Sequence, residues 1–165
     1  MTLHGTNLII LEEFKPMAAL EVSLGAAVSQ ALSDLEACET DDKYTINQNV
    51  WHAWQADSQT CGVCLSGATI AKTLGVPHTE SVDFGKEPVK ANYAMLDRID
   101  DVQRGKVSDA IHKAEQVREG DGWAVSVLSQ GADCKWLRAN GYDGDPERFK
   151  AAIRSIAEQL TKVGL

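Results

Sequence analysis

Basic residues are in the minority in this chain. Sixteen Lys and Arg against twenty-four Asp and Glu leave a net charge of −8 over 165 residues. That deficit argues against nucleic acid as a direct partner, because a phosphate backbone demands a basic footprint, and against docking on anionic lipid. Long hydrophobic runs are lacking as well. None approaches the ~20 residues of a membrane span, and the start, Met1-Thr2-Leu3-His4-Gly5, has neither the basic nor the apolar region of a signal peptide. The expectation is a soluble, cytoplasmic chain with no membrane partner. Internal repeats, low-complexity tracts and a linker long enough to divide the chain are missing too. What is there is ordinary for a globular protein. Hydrophobic residues make up 44% and charged residues 24%, so one domain over residues 1–165 can sustain a core without staples.

Cysteine is sparse and scattered. Of Cys38, Cys61, Cys64 and Cys134, only Cys61 and Cys64 share a C-x-x-C spacing. In a chain with no secretory signal, reduced and mostly packed thiols are expected rather than disulfides.

Hydrophobic periodicity points to a mainly α domain of about five amphipathic helices with at most two or three short strands, α+β being the alternative. Leu20, Leu24, Val28, Ala31, Leu32 and Leu35 recur at helical spacing through 17–37, and Gly25-Ala26-Ala27 thins that helix enough for another backbone to come close. Leu8-Ile9-Ile10-Leu11 is a short apolar run that periodicity assigns to neither helix nor strand. Tyr44, Ile46, Gln48 and Val50 alternate with polar residues as a weak strand. A slim helix follows over 62–74, closed by Gly75 and Pro77 and placed centrally in the fold. Pro88 starts a helix over 88–103 whose apolar face is Val89, Tyr93, Leu96 and Ile99; Gly105 ends it, and a second helix over 107–118 completes a hairpin. Trp123, Val125 and Val127 alternate as a short strand, and Gly141 to Asp145 reads as a turn. Asp145 then caps a helix over 146–163, with Pro146 at its first position and Phe149, Ile153, Ile156, Ala157 and Leu160 on one face.

The densest chemistry lies in 51–68, where three readings compete. In the first, Cys64 is a thiol nucleophile, with His52 as base and Gln59 in an oxyanion hole. Gln59-Thr60-Cys61-Gly62-Val63-Cys64 resembles the papain-type signature, whose second Cys opens a helix. The Gln–Cys spacing is one residue short, Leu65 stands where the family has an aromatic, and too few residues follow Cys64 for the family's downstream His. In the second, Cys61, Cys64 and His52 hold zinc, although no second close pair completes the set. In the third and favoured reading the motif is structural: Cys64 packs the slim face, the Trp residues cap the core, and His52 hydrogen-bonds a neighbouring loop. No cofactor is expected on that reading.

Two further features bear on partners. Asp34, Glu36, Glu39, Asp41 and Asp42 form an acidic run that is either a solvated face or a docking patch for a basic partner. Trp51 and Trp54 lie beside a polar loop and are candidates for an aromatic anchor. The glycine-bearing turns at 120–122 and 141–145 have neither the lysine of a P-loop nor the ordered oxygens of a calcium loop.

The stretch Trp51-His52 … Cys61-Gly62-Val63-Cys64-Leu65-Ser66-Gly67-Ala68 resembles a group of small phage and prophage proteins. Their core has a Trp-His pair, then C-x-V-C-L, a small residue and Gly-Ala opening a helix. A Leu-Asp-x-(Leu/Ile) helix, a Gly and a second short helix follow, and Met95-Leu96-Asp97-Arg98-Ile99 through Gly105 to Ala114 is similar. The resemblance spans residues 44–115 and implies a viral or prophage origin, without an activity. Together with the missing catalytic constellation, it gives the functional expectation: a non-catalytic accessory protein that binds a host protein through Trp51, Trp54, Asp34, Glu36, Asp41 and Asp42. The alternatives are a thiol hydrolase using Cys64 and a small zinc protein using Cys61 and Cys64. Exposed hydrophobic faces also admit a homo-oligomer.

Overall fold

Ser23 takes a hydrogen bond from the Ala26 N–H at 3.2 Å and caps the first helix, α1 (Leu24–Glu39). The computed structural model describes residues 21–114 and 119–165, so the apolar run 8–11 and the proposed helical residues 17–20 lie outside the described residues. The helix therefore begins at Leu24 rather than at 17, because a serine able to satisfy the orphan donors of the first turn stands at 23. Leu24, Val28, Ala31, Leu35 and Cys38 are buried along it. The thinned stretch works as the sequence suggests, but at the helix start. Gly25 lies against the main chain of a later helix, and its N–H donates to the Leu165 carbonyl at 3.0 Å.

Three short strands follow: β1 (Tyr44–Ile46), β2 (His52–Gln55) and β3 (Thr60–Val63). β3 runs between the other two, parallel to β1 and antiparallel to β2, in the order β1-β3-β2. The register puts Tyr44, Cys61 and Trp54 on one face, together with Ile46, Val63 and His52. Cys61, Val63 and His52 are fully buried there. The other face is polar, with the Thr45 and Thr60 hydroxyls and the Gln55 carboxamide hydrogen-bonded to one another.

The chain turns out of β3 into α2 (Leu65–Lys72), where residues 65 to 71 are all buried. A helix hidden all round belongs in the middle of a fold, and this one packs on α1, on the next helix and on the sheet. The expected start at 62 is corrected: Gly62 and Val63 are strand residues, paired on both sides, and Cys64 is the cap. Pairing with two flanking strands is a tertiary constraint that outweighs the local helical pattern.

The helical hairpin forms as expected, from α3 (Val89–Gln103) and α4 (Val107–His112). Pro88 stands at the N-cap rather than inside the first turn. Gly105 between the two helices has φ +74, and a Cβ there would lie 2.3 Å from the Cys134 carbonyl oxygen, so both conformation and space demand glycine. The expected end at 118 is corrected: α4 stops at His112, with Lys113 as its C-cap, and residues 115–118 lie outside the described residues.

The remaining helices are α5 (Gly122–Ser129), α6 (Ala132–Gly144) and α7 (Pro146–Lys162). The strand expected at 123–127 is the helix α5. Its buried residues are Val125 and Leu128, three apart, a helical spacing that two-residue alternation hid. α6 carries only two buried residues, Cys134 and Leu137, too little amphipathic signal to read from sequence. The turn expected at 141–145 is present as a kink, where Gly141 has φ 65 and ψ −169 inside α6. α7 matches expectation closely. Asp145 accepts from the Arg148 N–H at 3.1 Å, Pro146 is the first residue, and Phe149, Ile153, Ile156, Ala157 and Leu160 are buried.

The assembly is mainly α. α1 is its axis, with α7 along one side and α2, α3 and β1 along the other. One polar tie reinforces the packing of α1 on α7. Glu39, at the end of α1, accepts from the Lys150 ammonium at 2.9 Å and from the Tyr142 hydroxyl at 2.5 Å.

The sheet is fastened to α2 by main chain rather than by side chains. The Trp51 carbonyl oxygen accepts from the Cys64 N–H at 3.3 Å and reaches over the first turn of α2. A Cβ at Gly67 would lie 1.3 Å from that oxygen. Gly67→Ala, which in an ordinary helix gains about 0.5–1 kcal/mol, is expected here to cost about 3 kcal/mol or more by overpacking. Gly122→Ala in α5, with nothing within 4 Å of the added carbon, is the control and is expected to be neutral to stabilising by up to about 1 kcal/mol. Urea denaturation of both variants checks this.

Candidate functional site

The residues singled out around 51–68 are fixed by the strand–cap–helix unit just described. Cys64 is the N-cap of α2, and its Sγ accepts from the Gly67 N–H at 3.5 Å. The next N–H, of Leu65, donates to the Gln103 Oε1 at 3.0 Å, and the Gln103 Nε2 donates to Asp100 at 2.7 Å. The Ser66 hydroxyl donates to the Leu96 carbonyl at 2.6 Å. Each member of C-L-S-G thus has its own structural role, namely cap, core packing, a bond to α3, and close approach to Trp51.

Cys38, Cys61, Cys64 and Cys134 are all free and buried. Burial dominates their acidity. It pushes the Cys38 thiol up to about 12 and the Cys61 and Cys64 thiols up to about 11, and it raises Cys134 as well. At Cys64 the Gly67 N–H works in the opposite direction, and the Asp100 carboxylate adds to the rise. A helix N-terminus ordinarily favours a thiolate; here loss of solvent outweighs it.

The proposed catalytic trio is not assembled. Gln59 lies in the exposed turn between β2 and β3, with φ 57 and its Nε2 donating to the Ala56 carbonyl. All of β3 separates it from Cys64. His52 is 1% exposed, and both ring nitrogens are enclosed without an aligned hydrogen-bond partner. The expected hydrogen bond from His52 to a neighbouring loop is made by its main chain, the His52 carbonyl accepting from the Val82 N–H at 2.9 Å. Burial lowers the His52 pKa. The backbone of Val76 and Glu80 and the Glu80 carboxylate oppose that shift without cancelling it. Among the described residues no three His, Cys, Asp or Glu side chains gather as a metal-ligand set.

The acidic run does not present one face. Asp34 points inward, 6% exposed, accepting from Gln30 at 3.0 Å and from the Thr73 hydroxyl at 2.5 Å. It ties α1 to the end of α2 and so leaves the proposed patch; its burial raises its pKa, against the two hydrogen bonds. Glu36 lies 3.6 Å from Arg154 of α7. Asp41 pairs with Lys72 at 2.9 Å, and Asp42 is exposed.

The two tryptophans belong to different clusters. Trp54 meets the edge of His78, which also meets Tyr44. Trp51 instead joins Phe84 and Tyr93. Its ring centroid is 5.3 Å from Phe84, edge-on, and 5.7 Å from Tyr93, nearly parallel, while Phe84 and Tyr93 are perpendicular at 5.7 Å. Phe84 is 46% and Tyr93 47% exposed. Beside this triad opens a cleft of about 360 Å³ lined by Glu80, Asp83 and Glu87 with Lys86. Sequence reading missed Phe84, a lone apolar residue in a polar loop. It placed Tyr93 on the buried face of α3, whereas Asn92 takes that place. A one-position offset on a helix rotates a side chain by about 100°, enough to exchange core for surface.

Comparison with protein-family models, curated proteins and solved structures returns no match for this chain. No helix among the described residues is long and apolar enough to cross a membrane.

Two outcomes follow from burial. Native protein at neutral pH is expected to leave all four thiols unreacted with a chromogenic disulfide reagent, while urea-unfolded protein reacts at four. The His52 pKa lies below its unfolded value of about 6.5, so the native state binds fewer protons. Its contribution to stability is complete above that pH and is lost as pH falls through about 6.5 toward the native pKa. Unfolding free energies from urea titrations are expected to drop between about pH 7.5 and 5.5, by up to ~1.4 kcal/mol per pH unit, and His52→Leu to flatten that drop.

Proposed function

We propose that this chain is a non-catalytic binding protein whose contact surface centres on Trp51, Phe84 and Tyr93. The observation that carries the reading is the exposed triad. Three ring centroids lie 5.3–5.7 Å apart, with Phe84 and Tyr93 nearly half exposed and Trp51 half-buried against the cluster of Ile70, Val89 and Leu96. Leaving the Phe84 and Tyr93 rings nearly half exposed forgoes stabilisation that fuller burial would supply, and aromatic clusters are the usual anchors of protein interfaces. Glu80, Asp83 and Glu87 in the adjoining cleft give the surface its sign. The partner is a protein that presents an apolar side chain to the rings and a basic residue to the carboxylates. The resemblance to phage and prophage proteins makes that partner a host protein and the activity host modulation. The buried, undissociated thiols support a packing role for Cys61 and Cys64 over the hydrolase and zinc alternatives.

The test is capture from host lysate on immobilised protein, followed by calorimetry with the purified partner. Phe84→Ala/Tyr93→Ala is expected to weaken binding at least tenfold, a loss of about 1.4 kcal/mol, with unchanged circular dichroism. Glu80→Gln/Asp83→Asn is expected to slow association and reduce its salt dependence. A captured partner that binds the aromatic double variant with undiminished affinity overturns the reading, as does the absence of any stoichiometric partner.

A further inference from the structure

The same acidic chain carries a cationic cleft on another part of its surface. The cleft, of about 490 Å³, lies between the β1–β2 loop, the α3–α4 bend and α6. Arg104, Lys106 and Arg138 line it together with the carboxamides of Gln48, Asn49 and Asn140, and no lining residue is acidic. In a protein of net charge −8, three cations converging without an acidic liner is a local reversal of sign.

The two guanidiniums are held in place. Arg104 donates from Nε to Asp100 at 3.0 Å and from Nη2 to the Gln48 carbonyl at 3.0 Å. Arg138 donates from Nη1 to the Gly105 carbonyl at 2.5 Å. Each guanidinium has five N–H donors, so each keeps several unused after these contacts. The Arg104 charge is offset by Asp100. Neither Lys106 nor Arg138 has a carboxylate partner among the described residues. The frame around them is equally fixed: the Gln48 Oε1 accepts from the Tyr142 N–H at 2.6 Å, which pins the β1–β2 loop to the α6 kink.

We infer that this cleft binds a small phosphorylated molecule, with Arg138 and Lys106 as the principal contacts to its phosphate and Arg104 completing the cradle. Preset guanidinium forks match phosphate oxygens in pairs, and charges on cleft walls of low dielectric focus their field inward. The volume falls in the range of small-molecule sites, and the amide-rich lining suits a polar body such as a sugar or nucleoside. Three cations in one cleft, on a chain otherwise acidic, do not make the extended basic track that a nucleic-acid strand needs.

The experiment is ligand titration of the full chain by heteronuclear NMR, with inorganic phosphate, a hexose 6-phosphate, a nucleoside 5′-monophosphate and a dicarboxylate as separate probes. Expected are shifts at Arg104, Lys106, Arg138 and Asn140, saturating at or below about 1 mM for a phosphomonoester and weaker for the dicarboxylate. The better organic probe separates a sugar from a nucleoside ligand. Arg138→Gln/Lys106→Gln is expected to raise the dissociation constant at least tenfold. Lys90→Gln/Lys162→Gln, which removes the same charge at exposed positions outside the cleft, is expected to leave it unchanged. Absence of saturation by any phosphomonoester below about 10 mM overturns the inference. So do shifts mapping elsewhere, or equal weakening by both double variants.

Discussion

The Trp51 carbonyl oxygen resting on Gly67 is the contact on which this architecture depends. It brings the strand backbone to the surface of α2 at a distance no side chain tolerates, and the same oxygen takes the Cys64 N–H. With that carbonyl in place, β2 is set against α2, Cys64 becomes the cap, and Ser66 and Leu65 are aimed at Leu96 and Gln103 of α3. The chain path from sheet to α3 is then determined by main-chain geometry, with side chains filling what space remains. Interiors packed at crystal-like density transmit such constraints over several neighbours. That is why W-H and C-x-V-C-L-S-G-A, well separated along the chain, act as one structural motif.

Legibility in the sequence followed the locality of the physics. The helix α7 was readable because its cap, its first proline and its apolar stripe are all local, and the bend at Gly105 because glycine reports a backbone demand directly. The buried state of Cys64 followed from the small residues that share its stripe. The start of α2 was not readable, since Gly62 and Val63 are strand only by virtue of partners at Thr45 and Ile46 on one side and His52 and Ala53 on the other. α5 and α6 were hidden for a different reason. Each offers only two buried apolar residues as a pattern, and a periodicity sampled twice is no periodicity.

The site was legible in its chemistry and not in its geography. Cys61, Cys64 and His52 are each buried, but they do not gather as a metal-ligand set. Desolvation raises the thiol pKa values and lowers that of the imidazole, which shifts each group toward its uncharged form. Asp34 met a similar fate: the carboxylate counted as part of an acidic surface serves instead as an internal acceptor for Thr73 and Gln30. Phe84 and Tyr93 moved the other way, from presumed core or loop to the exposed face around Trp51.

Net charge is thereby a poor guide to local character in this molecule. A total of −8 conceals carboxylates beside an aromatic triad and a separate cleft whose lining is cationic and neutral. The segregation is a consequence of packing. Several acidic side chains are consumed internally or in pairs with lysine and arginine, as Asp34, Asp41, Asp100 and Glu39 are. Lys106 and Arg138 lie where the α3–α4 bend meets α6, in a recess with no acidic liner. Arg104 there is offset by Asp100, so Lys106 and Arg138 set the sign of the recess and the field it focuses. The fold thus places carboxylates beside the aromatic rings and cations in a separate recess, two faces of opposite chemistry on one small scaffold.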